Sequence, residues 1–317
     1  MQKDQKTEGI VVRTTGDSYI VRQENGALIK CFIKGNFRIK GIKTTNPVAI
    51  GDKVHFLLSD NSDTALIDKI FERKNYIIRR STKLSKQTHI IASNIDLAFL
   101  VISAKDPKTD TAFIDRFLVT ASAYNVPCEI VFNKEDIYDQ EAMMYAASLM
   151  EIYETIGYKC LLLSATKQSG IQNLKQEMKG KVCLFAGNSG VGKSTLVNTL
   201  FPEAGLKTAE ISSQHLAGKH TTTFAQMISF EDISIIDTPG IKSFGMVDFK
   251  KEELALYFPE MKERLNDCKY YNCTHTHEPH CAIKEAVENG EIAQERYINY
   301  IKMLESDEMQ KHQWEME

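Results

Sequence analysis

Apolar and polar positions fall into two textures along this chain. Over residues 7–73 they alternate in short runs: EGIVVRTTGDSYIVRQ, ALIKCFIK, GDKVHFLLS and TALIDKIFER. A period of two marks strands with one buried face. Gly16-Asp17, Asn25-Gly26, Gly51-Asp52 and Asn61-Ser62 supply turns between the runs, so the spacing predicts a small all-β barrel. Residues 73–87 (RKNYIIRRSTKLSKQ) are basic and lack a clear period; they read as a linker or a barrel exit. From Asn94 onward the apolar runs become continuous, in IDLAFLVIS, CEIVFNK, CLLLSA and VCLFAG. Such runs suit strands buried on both faces of a parallel sheet. Helical patterns lie around residues 111–124, 140–156 and 170–178, with another helix from about 193. MISF and ISIID read as a hairpin or as neighbouring strands. Residues 246–317 read as helical apart from one Cys/His cluster.

Composition narrows the class. Of 317 residues, 43% are apolar and 26% charged, the balance of a globular protein rather than a disordered one. No unbroken apolar stretch exceeds six residues, and MQKDQKTEG lacks the apolar core of a secretory signal. Neither membrane insertion nor export is expected. The net charge of −3 conceals an asymmetry: residues 1–90 carry 17 Lys/Arg against 9 Asp/Glu, whereas residues 246–317 carry 9 against 16. A basic N-terminal part is suited to a polyanion, or is simply a lysine-solubilised small domain. Cys31, Cys128, Cys160 and Cys183 stand in or beside apolar runs and read as buried free thiols, not as a disulfide framework.

Residues 187–195 read GNSGVGKST, the G-x-x-x-x-G-K-[ST] pattern, between the strand VCLFA and the helix STLVNTLF. Gly187, Asn188, Ser189, Gly190, Val191 and Gly192 let successive N–H groups turn toward a phosphate chain at a helix N-terminus. Lys193 is placed for the β- and γ-phosphates and the Ser194 hydroxyl for Mg²⁺; Thr195 closes the motif. Asp237-Thr-Pro-Gly240 ends the strand ISIID, where Asp237 suits Mg²⁺ through a water and Gly240 can approach a γ-phosphate. Asn133, Lys134, Glu135 and Asp136 close CEIVF. A carboxylate at Asp136 can accept both N–H groups of a guanine edge, and Ser164-Ala165 adds backbone contacts to the base. The set favours GTP over ATP, and it also argues against a metabolic P-loop kinase.

The order of these motifs is unusual. Regulatory GTPases begin with the P-loop and end with N-K-x-D and S-A; here N-K-E-D and S-A-T come first, so the domain must be circularly permuted. All the loops still reach the carboxyl ends of one sheet. The chain leaves the domain straight after D-T-P-G, a route by which γ-phosphate-dependent movement would reach the Cys/His segment. Glutamine, which orients water in Ras-like enzymes, is replaced by Ile241, so intrinsic hydrolysis should be slow.

CKYYNCTHTHEPHC holds Cys268, Cys273 and Cys281 with His275, His277 and His280. Three thiolates and one imidazole make a closed structural zinc site, and the spacing alone leaves the histidine open.

With N-K-E-D, G-N-S-G-V-G-K-S-T, G-K-H-T-T-T, D-T-P-G and C-x₄-C-x-H-x₅-C in this order, nearly the whole chain resembles the RsgA (YjeQ) family, circularly permuted GTPases of small ribosomal subunit assembly. The resemblance implies an N-terminal OB-like β-barrel binding RNA (1–75), a circularly permuted P-loop α/β GTPase domain (76–245) and a C-terminal helical zinc-binding domain (246–317). It implies His220 as the catalytic residue, a Mg²⁺-binding threonine among 221–223 (Thr222), and His275 as fourth zinc ligand. It further implies GTP hydrolysis stimulated by the small ribosomal subunit and its rRNA, in a cytoplasmic monomer. A nucleotide-gated RNA-binding scaffold with incidental hydrolysis is the alternative. OB barrels bind single strands with basic grooves and stacking aromatics. Arg13, Arg22, Lys30, Lys34, Arg38, Lys40 and Lys43 are the basic candidates, with Tyr19, Phe32 and Phe37 interleaved, the phenylalanines being weighted toward the core.

Overall fold

In the computed structural model, residues 6–33, 47–58, 64–80, 88–202, 226–237 and 251–306 are described. The N-terminal alternation becomes β1 (Lys6–Thr14), β2 (Tyr19–Gln23), β3 (Leu28–Ile33), β4 (Lys53–Leu58) and β5 (Thr64–Ile70). They pair in the order β1-β2-β3-β5-β4, and β4 returns to β1, so the five strands close into a barrel. Closure removes the free edges that a five-stranded open sheet would expose. Val11, Tyr19, Val21, Cys31, Val54, Phe56, Ala65 and Ile67 fill the interior.

The basic segment after the barrel, expected as a linker or a barrel exit, contains a strand within its described part. It forms β6 (Tyr76–Arg80), which pairs antiparallel with β7 (Thr88–Ser93). Ile77 and Ala92 on this pair are buried in the same core as the following α/β domain. Arg73 is likewise committed: its guanidinium donates twice to Asp52 at 2.6 Å, and Asp52 also accepts from the Ser93 hydroxyl and the Ala49 N–H. Both charges are almost fully buried, so part of the N-terminal basic excess serves internal pairing.

The α/β domain has one sheet, β10-β9-β8-β11-β13-β12. Its strands are β8 (Leu97–Ile102), β9 (Cys128–Phe132), β10 (Cys160–Leu162), β11 (Val182–Ala186), β12 (Gln226–Phe230) and β13 (Ile233–Asp237). All are parallel except β12, which forms a hairpin with β13. Every residue of β8 is buried, as its unbroken apolar run requires. Around the sheet lie α1 (Thr111–Ala123), α2 (Gln140–Thr155), α3 (Ile171–Met178) and α4 (Lys193–Leu200). Asp110 and Asp139 cap α1 and α2 by accepting from the N–H groups of Ala112 and Ala142. From β8 the chain winds outward through β9 to β10, then returns to β11 on the other side of β8. That reversal opens a crevice at the carboxyl ends of β8 and β11, where α/β sheets bind ligands.

The C-terminal part comprises α5 (Pro259–Lys262), α6 (Ala282–Glu288) and α7 (Gln294–Leu304) with short 3₁₀ turns. Leu254, Phe258, Met261, Ile283, Tyr300 and Met303 form its core and share it with Val119 of α1. Beside this contact lies a buried ionic cluster. Arg296 donates to Asp115 at 2.5 Å and to both carboxylate oxygens of Glu260 at 2.8 and 3.0 Å. Tyr153 and Asn299 donate to Asp115 as well. Burial and the pull of Arg296 act in opposite directions on Asp115, with burial the larger; Asp115 and Glu260 hold Arg296 firmly charged. No helix among the described residues is long and apolar enough to cross a membrane.

Candidate functional site

The crevice gathers the motif residues that the sequence separates by up to 62 positions, from Asn133 to Thr195. Asn133 follows directly on β9 and is 1% exposed. Its side-chain amide donates to the Val191 carbonyl at 2.9 Å, and its carbonyl oxygen accepts from the Ala165 N–H at 3.1 Å. One asparagine therefore joins three loops: its own, the glycine-rich loop after β11 and the S-A-T loop after β10. Lys134 follows in the left-handed region at φ 70°, turning the chain into a short 3₁₀ turn over Glu135–Ile137. Asp136 is exposed on that turn and accepts from the Ser164 hydroxyl. Glu135 accepts from Ser169, also in the S-A-T loop, at 3.0 Å. The N-K-E-D turn is thus held by neighbours on the adjacent strand end.

Close approach explains two glycines of the phosphate loop. A Cβ on Gly187 would lie 2.1 Å from the Val101 carbonyl oxygen, and one on Gly192 would lie 2.4 Å from the Asn133 amide nitrogen. Any side chain there would drive the loop off the strand ends that hold it. Val191 is fully buried and anchors the loop, whereas Ser189 and Gly190 are exposed at its crest. Lys193 opens α4, and its ammonium donates to the carbonyls of Gly187 and Asn188 at 2.7 and 2.6 Å. Asn188 and Ser194 are half-buried, and Thr195 is exposed. Asp237 is the last residue of β13, the neighbour of β11. His220, Thr222, Gly240 and Ile241 lie outside the described residues.

A second cluster lies in the C-terminal part. The ligand atoms of Cys268, Cys273, His275 and Cys281 all fall within 4.8 Å of one another. His275 Nδ1 is 3.6 Å from Cys268 Sγ and 3.4 Å from Cys281 Sγ. Tetrahedral bonds of about 2.3 Å to sulfur and about 2.0 Å to nitrogen require roughly these separations, so the donor set fits a four-coordinate metal. Burial, aided by Cys281 and Cys268, pushes the Cys273 thiol up to about 12, a cost that a cation would reverse. His277 and His280 are exposed and stand outside the cluster. Burial separates the histidines: His275 is 3% exposed among the three cysteines, with its carbonyl held by the Tyr297 hydroxyl at 2.6 Å. Tyr300 holds the neighbouring Thr274 carbonyl, and Glu278 accepts from the N–H groups of Thr274 and Thr276.

The barrel residues divide. Tyr19 is core. Arg13 and Arg22 lie where β1 and β2 meet β12: Arg13 is exposed and bonded to Gln226, and Arg22 is half-buried and bonded to Ser229. Phe32 departs from its expected core position: it alternates with buried Cys31 and lies beneath the Lys30 ammonium on the outer face. Lys34, Phe37, Arg38, Lys40 and Lys43 lie outside the described residues. Cys31, Cys160 and Cys183 are buried free thiols, pushed up to about 12 by that burial, and Cys128 is partly buried.

Sequence reasoning did not find the residues that brace these loops. Tyr138 bonds to Asn133 and Ala104, Ser169 to Glu135, and Thr199 to the Ala165 carbonyl. None carries a spacing signal, because each acts through a single hydroxyl on whichever loop is close.

Comparison with known proteins agrees with this geometry. A family model described as RsgA GTPase matches residues 70–247, and one described as RsgA N-terminal domain matches residues 8–67. The chain is 51% identical over 306 residues to "Small ribosomal subunit biogenesis GTPase RsgA 2" of Bacteroides thetaiotaomicron, covering 96% of this chain and 98% of that one. It is 53% identical over 304 residues to the RsgA protein of Flavobacterium johnsoniae, covering 95% and 93%. Among solved structures, YjeQ from Thermotoga maritima superposes with a TM-score of 0.76 at 36% identity, over 94% of this chain and 97% of that one. YloQ, described as a circularly permuted GTPase, gives 0.75 at 29% identity over 98% of each chain.

Proposed function

The chain belongs to the RsgA GTPase family and hydrolyses GTP, and we propose that this hydrolysis is coupled to late maturation of the small ribosomal subunit, the process for which its relatives are named. The observation that carries this reading is Asn133, which ties the base loop, the phosphate loop and the S-A-T loop into one guanine-nucleotide pocket despite their permuted order. Asp136 accepts the two N–H groups of guanine. Adenine would leave it unpaired, a discrimination on the order of 10⁴-fold. Gly187 through Gly192 wrap the phosphates, Lys193 neutralises the β- and γ-oxygens, and Ser194 and Thr222 would hold Mg²⁺ with Asp237 behind a water. When bound, Mg²⁺ neutralises charge on the leaving phosphate. Gly240 offers its N–H to the γ-phosphate. His220 orients the attacking water in place of the glutamine that Ile241 replaces.

Cys268, Cys273, His275 and Cys281 hold one structural zinc. The division into a barrel over 1–75, a GTPase domain over 76–245 and a zinc domain over 246–317 follows from the same reading. The outer barrel face with Lys30 and Phe32 meets rRNA, in a monomer that works in the cytoplasm. GTP turnover measured with and without purified small subunits tests the proposal. Acceleration by the subunit is expected; an unchanged rate would instead fit a scaffold with incidental hydrolysis.

A further inference from the structure

The hydroxyl of Tyr138 sits where the base-reading loop meets the connection from β8 to α1, residues 103–110. It donates to the Asn133 carbonyl at 2.7 Å and accepts from the Ala104 N–H at 2.8 Å, with the Ser103 hydroxyl 3.4 Å away. The shorter contact takes the phenol's single proton, and the lone pairs face the other two groups. Burial pushes the phenol above its ordinary pKa, so the proton stays in place.

The Asn133 carbonyl needs such a partner. The β8–β9 and β9–β10 pairings end at Phe132, and Asn133 donates its own N–H to Ile102. Its carbonyl lies beyond the ladder, and a buried carbonyl there requires a donor from elsewhere. The next residue, Lys134, stands at φ 70°, a conformation that favours glycine. Rotating the 133–134 peptide plane would relieve Lys134 and turn the Asn133 carbonyl away. A hydrogen bond to that carbonyl opposes the rotation. The β8–α1 connection that shares the bond is braced once more, where Lys134 Nζ donates to the Asp106 carbonyl.

We propose that Tyr138 is a positioning residue for guanine binding, pinning the Asn133–Lys134 peptide so that the turn carrying Asp136 faces the base. The assignment rests on the reading of Asp136 as the guanine-recognising carboxylate. Tyr138 belongs to no nucleotide motif, and it touches the nucleotide pocket through the backbone alone.

The test uses the full chain with Tyr138→Phe, which keeps the ring and removes the hydroxyl. Fluorescent GDP and IDP analogues are titrated into both proteins, and melting temperatures are recorded beside them. GDP affinity should fall about five- to tenfold, the worth of one such hydrogen bond. IDP lacks the 2-amino group and depends less on the exact aim of Asp136, so it should lose less and the preference for GDP over IDP should shrink. Unchanged GDP affinity overturns the proposal, as does an equal loss for both nucleotides accompanied by a lower melting temperature. Asp136→Asn is measured in parallel: a carboxamide offers the acceptor and donor that a xanthine edge matches, so preference should pass from GDP to XDP. Failure of that exchange overturns the base-reading premise. A successful exchange alongside an unaffected Tyr138→Phe overturns only the role of Tyr138.

Discussion

The nucleotide crevice and the junction between α1 and α7 both gather polar side chains from distant parts of the chain, and they hold them in opposite ways. In the crevice, Asp136 is exposed, Lys134 and Ser194 are half-buried, and the loops are braced mainly through backbone groups. At the junction, Arg296, Asp115 and Glu260 are 2%, 0% and 5% exposed, and their charged groups answer one another. A site that must admit a ligand leaves donors and acceptors accessible. A joint between two domains closes over them and depends on each having its partner.

That difference predicts which changes harm stability and which harm chemistry. The largest effect should come from the Cys/His cluster, because Cys281 and His275 are buried beside the C-terminal core and would be left there without a ligand. Chelation, or Cys268→Ser, should remove zinc and abolish slow hydrogen exchange over residues 264–304 while nucleotide affinity changes little. Full zinc retention by the variant would contradict the ligand set. Next, Arg296→Met should cost about 3–5 kcal/mol, because Asp115 and Glu260 would remain buried without their partner. Urea denaturation measures it, and the surviving folded protein should bind GDP normally. His220→Ala probes the other side of the comparison: GTP turnover should drop about 10²- to 10⁴-fold with GTP affinity and melting temperature retained. Arg22→Ala should be smallest, about 1 kcal/mol, since it removes one hydrogen bond between the barrel and β12. A loss at that position as large as the one at Arg296 would erase the distinction between an open site and a sealed joint.

The same contrast explains what could be read from the sequence. G-N-S-G-V-G-K-S-T and N-K-E-D were legible because phosphate and guanine demand particular residue types at fixed spacing, between a strand and a turn. The barrel strands and the helices near 111, 140, 171 and 193 were legible from period alone. Arg296 was not. Its partners lie 181 and 36 positions away, and within QERYINY it resembles any solvent-facing helical charge. The β6–β7 pair was hidden because its basic residues interrupt the alternation that marks a strand, although Ile77 and Ala92 are buried. Among the three histidines, spacing left the choice open; only the folded chain buries His275 beside the cysteines, its carbonyl held by Tyr297, and leaves His277 and His280 exposed. The basic count does not translate directly into surface, since Arg73 is sealed against Asp52 and Arg22 is half-buried against Ser229.

Co-sedimentation with purified small ribosomal subunits, in a non-hydrolysable GTP analogue and in GDP, tests the central claim most directly. Salt-sensitive binding, markedly tighter with the GTP analogue, is the expected result. Equal binding in the two nucleotide states would contradict it.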